Sequence, residues 1–192
     1  MNKTQTILIC NQKGGVGKTL VADELAFGFD RKGIPYNLYD LDRQGGSVHK
    51  EVRNDNAVVN IVDTPGALQK DLVKWMINAD LIIIPTKMTP RDLQPLITMF
   101  DLIKQNKVEA PVFCVFNEWN RYNAAKEFEE WFMSTYPTVR YRIPRSEGFT
   151  QAALDGVSIF NLSKYKKSFA ADQLKALIRD VIELLSLEGE AE

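Results

Sequence analysis

Five residues near the start of the chain have the types and spacing needed to hold a chain of phosphates: Gly14, Gly15, Gly17, Lys18 and Thr19. Glycines let the backbone turn tightly enough for successive N–H groups to face an anion, and the lysine can reach the β and γ phosphates. A threonine hydroxyl in this position is a ligand for Mg²⁺. Because an apolar run precedes this segment and a helix-like stretch follows it, the sequence predicts a nucleoside triphosphate site between a strand and a helix.

The segment departs from the common phosphate-loop pattern at two positions. Gln12 occupies the place of the first glycine, and a second lysine, Lys13, follows it. The string KGGVGKT resembles the deviant phosphate loop of the ParA/MinD family of ATPases. The resemblance implies that Lys13 reaches across a dimer interface to the nucleotide of the second subunit and acts in catalysis together with Lys18. It also implies contacts to ATP along the whole loop, from Gly14, Gly15, Val16, Gly17, Lys18, Thr19 and Leu20.

An aspartate pair, Asp40 and Asp42, follows the second apolar run. If that strand continues to Asp42, both carboxylates share a face, because alternate residues of a strand point to the same side. The run from Asp40 to Gln44 resembles the D-x-D-x-Q segment of the family. The resemblance implies that Asp42 orients or activates the attacking water and that Asp40 supports the metal site. Arg43 stands where the family usually has proline.

A further carboxylate, Asp63, ends the third apolar run. In phosphate-loop enzymes such an aspartate holds the Mg²⁺ shell, here through water and together with Thr19. Gly66 stands where the family more often has a second proline, which makes the segment similar to a GTPase switch. The chain has no N-K-x-D motif to read guanine. We therefore expect ATP rather than GTP.

Contacts to the base follow from the resemblance alone. It implies that Asn117 contacts the adenine and that the loop around Pro144 flanks it. Leu20 is another departure, because most relatives have a second threonine whose hydroxyl reaches the α-phosphate. Backbone N–H groups still serve that phosphate, so we expect weaker ATP binding rather than none.

Short apolar runs alternate with helix-like stretches along the chain. The predicted strands are residues 6–11, 36–41, 57–62, 81–85, 112–116 and 139–143. The predicted helices are residues 20–32, 67–78, 91–106, 123–135 and 168–187, while residues 45–56 are too polar and too short for a helix. This alternation predicts a single α/β domain over residues 1–192, with a mostly parallel sheet, helices on both faces and ligands at the carboxyl ends of the strands.

Composition favours no particular class of partner, because 24 basic residues nearly balance 25 acidic ones. Cys10 and Cys114 each lie in an apolar run, so we expect reduced core thiols. Two such residues are also too few and wrongly placed for an iron–sulfur cluster. No signal segment is evident, and no apolar stretch approaches the roughly twenty residues that span a bilayer. We expect a cytosolic protein.

One segment in the last third of the chain has an excess of basic residues. Residues 138–179 hold eight basic residues against three acidic ones. Such an excess suits the DNA backbone, and a solvated face is the alternative. Small ParA proteins bind DNA without sequence preference, so the resemblance favours DNA contacts by Arg145, Lys166 and Lys167, which would associate the protein with the nucleoid.

Two features have a simpler interpretation than a function. The last predicted helix has no basic residue after Arg179, so we expect it to pack on the core rather than bind a membrane. His49 is the only histidine and lies in a polar stretch. We expect its side chain to be solvated.

The sequence as a whole resembles the small ParA-type ATPases, without the N-terminal helix-turn-helix domain of larger plasmid ParA proteins. The resemblance implies a plasmid or chromosome partition ATPase that closes into a sandwich dimer with ATP and Mg²⁺, binds DNA nonspecifically and hydrolyses ATP when a small ParB-like partner stimulates it. One alternative is a ParA-like ATPase that positions a protein cargo or serves conjugation. Another is an ATP-using ligase similar to dethiobiotin synthetase, against which Lys13 and the D-x-D-x-Q segment argue.

Overall fold

The apolar runs form a parallel sheet. The computed structural model describes residues 3–42, 46–66 and 71–188. Within them the strands are β1 (Gln5–Ile9), β2 (Tyr36–Asp40), β3 (Val59–Asp63), β4 (Leu81–Thr86), β5 (Val112–Trp119) and β6 (Val139–Pro144). Their order is β2-β3-β1-β4-β5-β6, and each neighbouring pair is parallel. The predicted α/β class and parallel sheet are confirmed.

Helices connect the strands, as the alternation predicts. They are α1 (Lys18–Asp30), α2 (Leu72–Asn78), α3 (Pro90–Gln105), α4 (Asn123–Thr135), α5 (Glu147–Asp155) and α6 (Phe169–Leu184), with a short 3₁₀ helix at Ile159–Asn161. The predicted helix 67–78 begins in residues 67–70, which lie outside the described residues. The described residues 46–56 contain no helix, as predicted.

Helix α5 is absent from the prediction, although its ends carry recognisable signals. The Ser146 hydroxyl accepts a hydrogen bond from the N–H of Gly148, and Gly156 takes a left-handed φ of 66° at the C-cap. Both are favoured terminating conformations for those residue types. The helix is short and six of its nine residues are exposed, so its apolar periodicity is weak.

Two apolar layers lie on opposite faces of the sheet. On one face α1 and α6 pack together, and a Cβ added to Gly28 of α1 would lie 2.9 Å from the Ile178 side chain of α6. On the other face α2, α3 and α4 contribute residues such as Met76, Met99 and Phe132. The last helix therefore packs on the core, as predicted. No helix among the described residues has the length and apolar character to cross a bilayer.

The connections place the polar residues at one edge. Strand β1 lies between β3 and β4, so the chain order reverses direction across it. Ligands of open α/β sheets bind outside the carboxyl ends of the strands at such a switch point. The glycine loop after β1, the aspartates after β2 and the end of β3 all meet there.

Candidate functional site

The glycine loop lines a cavity at this edge of about 690 Å³, within the roughly 300–1,000 Å³ usual for small-molecule sites. Gly15 and Gly17 have φ values of 70° and 102°, a left-handed conformation that glycine adopts without strain. A Cβ on Gly14 or Gly15 would meet nothing within 4 Å. The loop backbone therefore faces open space large enough for a polyphosphate, next to the N-terminus of α1.

Lys18 is the cation at the base of this cavity. Its side chain is largely buried, and Nζ donates a hydrogen bond to the backbone oxygen of Lys13 at 3.2 Å. Burial lowers the pKa of Lys18, while the nearby Asp63 and Asp42 carboxylates oppose that change. An anionic phosphate in the cavity would favour the charged form further. Lys18 is thus held in place to receive phosphate oxygens.

Thr19 and Asp63 form the candidate metal site. The Thr19 hydroxyl donates to Oδ2 of Asp63 at 2.7 Å, and Asp63 is fully buried. Among the described residues Oδ1 of Asp63 has no hydrogen-bond partner. Burial raises the pKa of Asp63 to about 7, and the Asp40 carboxylate adds to the effect. A buried carboxylate oxygen left without a partner beside a hydroxyl is a donor set that suits Mg²⁺, so these residues fit the predicted cation.

Asp40 and Asp42 are not both part of strand β2, so the hypothesis that they share a strand face is wrong. Strand β2 ends at Asp40, so Asp42 belongs to the following loop and does not share a strand face with it. The backbone N–H of Asp42 instead donates to Oδ1 of Asp40 at 2.9 Å. Asp42 lines the cavity, which is the position needed to act on a water next to the phosphates. Arg43 and Gln44 lie outside the described residues.

Lys13 lies at the margin of the site and has a partner that sequence reasoning missed. Its Nζ lies 2.5 Å from Oδ1 of Asp92, in the first turn of α3, and Asp92 is only 1% exposed. The hydroxyl of Thr89 donates to the other carboxylate oxygen of Asp92. The Thr89-Pro90 pair signals a helix start, but no local pattern links residues 79 positions apart.

Asn117 supports the loop rather than standing free beside it. Its side-chain amide donates to the backbone oxygen of Val16 at 2.9 Å. A Cβ on Gly17 would lie 2.3 Å from that amide nitrogen, so glycine is required there. Asn117 also lines the cavity, but the flanking residues are Phe149 and Thr150. Pro144 is not among the cavity-lining residues of the described chain, and its contact with the adenine stays a prediction.

Gly66 and Leu20 both depart from the family pattern, and both departures have structural consequences. A Cβ on Gly66 would lie 2.7 Å from the N and Cα atoms of Gly14, so the segment after β3 packs directly on the glycine loop and excludes any side chain. Leu20 lines the cavity, which brings an apolar group to the place where a hydroxyl would serve a phosphate.

The basic segment near the C-terminus is partly neutralised. Arg140 and Arg142 both pair with Glu129, at 2.6 and 2.7 Å. The single carboxylate of Glu129 offsets one of these two positive charges within the chain. Arg145, Lys166 and Lys167 are exposed. The three residues expected to contact DNA are thus accessible, while the excess itself is smaller than the sequence count indicates.

His49 is not solvated, contrary to the prediction. Its side chain is 10% exposed, and Nδ1 lies 3.0 Å from Oδ1 of Asp23. The ring packs against Phe27, with centroids 4.2 Å apart. Asp23 also accepts hydrogen bonds from the Ser47 hydroxyl and the Val48 N–H. These hydrogen bonds hold residues 47–49 against α1. Only the folded chain brings these residues together.

A parallel sheet with this strand order, a glycine loop after the central strand β1 and a hydroxyl–carboxylate pair as a candidate metal site define a P-loop nucleotide-binding protein. A family model matches residues 7–159 of the chain. The chain belongs to the CobQ/CobB/MinD/ParA nucleotide binding domain family. Solved structures of the family hold ADP or an ATP analogue together with magnesium.

Several characterised proteins are similar over nearly the whole chain. Maintenance of carboxysome distribution protein A from Halothiobacillus neapolitanus (strain ATCC 23641 / c2) is 26% identical, with 94% of this chain and 98% of the relative covered. An ATP complex of a McdA variant from Cyanothece superposes with a TM-score of 0.77 at 15% identity, covering 100% of both chains. A putative plasmid partition protein from Borrelia burgdorferi B31 bound to AMPPNP has a TM-score of 0.72 at 14% identity, covering 94% of this chain and 100% of that one.

Proposed function

We propose that this chain is an ATPase that dimerises on binding ATP and uses the cycle of binding and hydrolysis to position a protein cargo. The observation that carries the proposal is the constellation at the sheet edge: Lys18, Thr19 and Asp42 line one cavity, and the buried Asp63 accepts a hydrogen bond from Thr19. Lys13 lies beside the glycine loop, paired with Asp92. The similarity to a carboxysome distribution protein over 94% of this chain supports cargo positioning ahead of the plasmid or chromosome partition predicted from sequence.

Each residue has a role in the proposed cycle. The glycine loop and Lys18 bind and orient the β and γ phosphates. Thr19 and Asp63 would hold Mg²⁺, which neutralises the charge that develops on the phosphates during hydrolysis. Asp42 orients the attacking water. Lys13 completes the site of a second subunit, so chemistry depends on dimerisation.

Lys13 must leave Asp92 to reach a second subunit. In the single chain the two side chains form an ion pair with one member buried. Separating them leaves a buried carboxylate without its cation, which costs about 2 kcal/mol unless another donor replaces it, less than for a fully buried pair because Lys13 is partly exposed. ATP and the second subunit must supply that free energy, which would keep the nucleotide-free protein monomeric.

DNA is the proposed track along which the cargo is positioned. Arg145, Lys166 and Lys167 are exposed, and two copies in a dimer would double their number on one particle. Weak phosphate contacts become effective when two patches bind together. DNA binding would therefore depend on ATP, and hydrolysis stimulated by a small partner protein would release it.

Sedimentation of the purified chain with and without Mg·ATP tests the core of this proposal. Asp42→Ala should sediment as a stable dimer with ATP, and as a monomer with ADP. A monomer under both conditions, with normal hydrolysis, would remove the dimer and its dependence on Lys13 from the proposal.

A gene deletion tests the cargo. Cells that lack this chain should show a misplaced protein assembly by fluorescence microscopy and should keep their plasmids at the parental rate. Plasmid loss without a misplaced assembly would instead favour the partition function, which the similarity to the Borrelia protein supports. An ATP-using ligase remains a third candidate, since the same family includes cobyrinic acid a,c-diamide synthase, but Lys13 gives it no support.

A further inference from the structure

A second cavity, of about 870 Å³, lies between α1 and α6, away from the nucleotide. Helix α1 begins at Lys18 in the nucleotide site and reaches this cavity at Gly28 and Arg31. Ten to thirteen helical residues separate the two places, or about 15–20 Å at 1.5 Å per residue. This cavity, called the groove below, shares no lining residue with the nucleotide cavity. Nucleotide binding therefore does not account for it.

The floor of the groove is apolar. Ile34 and Ile178 are buried, while Phe160 and Ile182 are half-buried and packed against the core. Leu187 also lines the groove. Apolar side chains at the bottom of an open groove offer surface that a partner can remove from water, at about 25 cal/mol per Å².

The rim of the groove is strongly basic. Six cationic side chains line it, against the acidic Asp172 and Glu183, and one of the six, Arg179, is paired with Asp180 at 2.7 Å. The cations are Arg31, Lys32, Lys166, Lys167, Lys175 and Arg179. The guanidinium of Arg31 lies 4.5 Å from the centre of the Phe160 ring, and Nζ of Lys175 lies 5.7 Å from it. The positive charges of the rim therefore lie next to the apolar Phe160 side chain of the floor.

The groove is elongated. On α6 its lining residues follow one stripe, from Asp172 through Lys175 and Arg179 to Glu183, at the three- and four-residue spacing of a helix face. That stripe is about 16 Å long at 1.5 Å per residue. A helical peptide of about eleven residues has the same length, and helices commonly lie in apolar grooves with anchors at this spacing.

We propose that this groove binds an acidic amphipathic helix of a partner protein. The apolar face of that helix would cover Phe160, Ile178 and Ile182, and its carboxylates would pair with the basic rim. Duplex DNA would use the cations but not the floor, because phosphate contacts require no apolar surface. Lys166 and Lys167, proposed above as DNA contacts, stand on the rim, so the peptide and DNA would compete for them. Because the groove is separate from the nucleotide site, peptide binding in the groove does not depend on the proposed ATPase activity.

Fluorescence anisotropy with a synthetic probe tests the inference without nucleotide. The probe is a fluorescein-labelled twelve-residue helix with leucines at positions i, i+3, i+4 and i+7 and glutamates at most others. A second peptide of identical composition has its leucines scrambled, so that no apolar face forms. The first should bind at least about tenfold more tightly than the second, because only an ordered face covers the floor.

Two protein variants locate the binding. Lys167→Glu combined with Lys175→Glu should weaken binding of the probe about tenfold or more, by removing two attractions and adding two repulsions. The matched control reverses the exposed Lys104 and Lys126 on α3 and α4, on the opposite face of the sheet, and makes the same change in net charge. Thermal melts check that both variants fold.

A floor variant separates the peptide from DNA. Ile182→Ser should weaken binding of the probe about fivefold, the expected loss for part of one buried side chain, and should leave binding of a duplex oligonucleotide unchanged. Equal binding of the ordered and scrambled peptides, or equal loss in the matched control, would overturn the inference. So would a groove that binds duplex DNA but not the acidic probe.

Discussion

Two of the cavities among the described residues would attract negative charge by different means. At the sheet edge, anions would meet backbone N–H groups of a glycine loop and one largely buried lysine, Lys18. Between α1 and α6, they would meet exposed lysines and arginines over an apolar floor. The first site is preorganised and tolerates few substitutions, whereas the second shares its charge among many side chains. Single changes should therefore have large effects at the sheet edge and small ones in the groove.

The largest effect is expected at Lys18. Lys18→Ala removes a buried charge aimed at the phosphates, so ATP affinity should fall about 100-fold or more. Isothermal titration calorimetry with Mg·ATP measures it. Lys104→Ala, an exposed lysine at the end of α3, is the control and should bind normally. An unchanged affinity in Lys18→Ala would mean that the two cavities do not differ as proposed.

Asp42 should separate binding from turnover. Asp42→Ala leaves the glycine loop intact but removes the group that orients water, so hydrolysis should slow about 100- to 1,000-fold, while ATP affinity changes little. Phosphate release and calorimetry together measure this. Asp55→Ala, in an exposed turn, should hydrolyse ATP at the parental rate. Equal losses of binding and hydrolysis would make Asp42 a binding residue instead.

The Lys13–Asp92 ion pair should affect both the free energy of unfolding and dimerisation with ATP. Lys13→Ala leaves the buried Asp92 without its cation and should lower the free energy of unfolding by about 2 kcal/mol, less than for a fully buried pair because Lys13 is partly exposed. The double variant Lys13→Ala with Asp92→Asn should recover most of that loss in urea denaturation.

Dimerisation distinguishes the roles of the two residues. Neither Lys13→Ala nor the double variant should dimerise with ATP, since both lack the lysine proposed to cross the interface. Asp92→Asn keeps Lys13 and weakens the ion pair that holds it in each subunit, so the variant should dimerise at a protein concentration at least about fivefold lower than the parent. If the double variant dimerises like the parent, Lys13 has only a structural role.

A smaller effect is expected from the groove cations on DNA. Lys166→Ala with Lys167→Ala should reduce the slope of log K against log salt by at most about two for each chain, since each phosphate contact contributes about 0.9. Filter binding of the ATP-bound Asp42→Ala dimer at several salt concentrations measures the slope. An unchanged slope would mean that Lys166 and Lys167 do not contact DNA phosphates, so that the proposed peptide would be their only ligand.

The smallest effect concerns Leu20. Leu20→Thr would place a hydroxyl near the α-phosphate, and one additional hydrogen bond should raise ATP affinity about three- to fivefold. A matched Leu20→Val variant, which has the same branched shape without the hydroxyl, should not. Equal affinity in the two variants would show that backbone N–H groups already satisfy this phosphate.

Strand–loop–helix elements were predictable because their signals are local. The glycine loop, its lysine and the flanking apolar runs specify β1, the loop and the start of α1 within a few residues of one another. The alternation of apolar runs likewise predicts the parallel sheet, since crossover connections require it. The end of β2 at Asp40 was less predictable, because alternation continues to Asp42 while a hydrogen bond to the Asp40 side chain turns the chain.

What the sequence by itself determined is therefore the phosphate loop, the order of the elements and the edge at which Asp42 and Asp63 meet it. Only the tertiary structure decided the partner of Lys13, the burial of His49 against Asp23 and the joining of α1 and α6 into a basic groove. The physical reason is the distance along the chain: Arg31 and Lys175 flank the same Phe160 ring although more than a hundred residues separate them. Hydrophobic packing of two helices on one face of the sheet brings such residues together, and no local pattern records which side chains will then be neighbours.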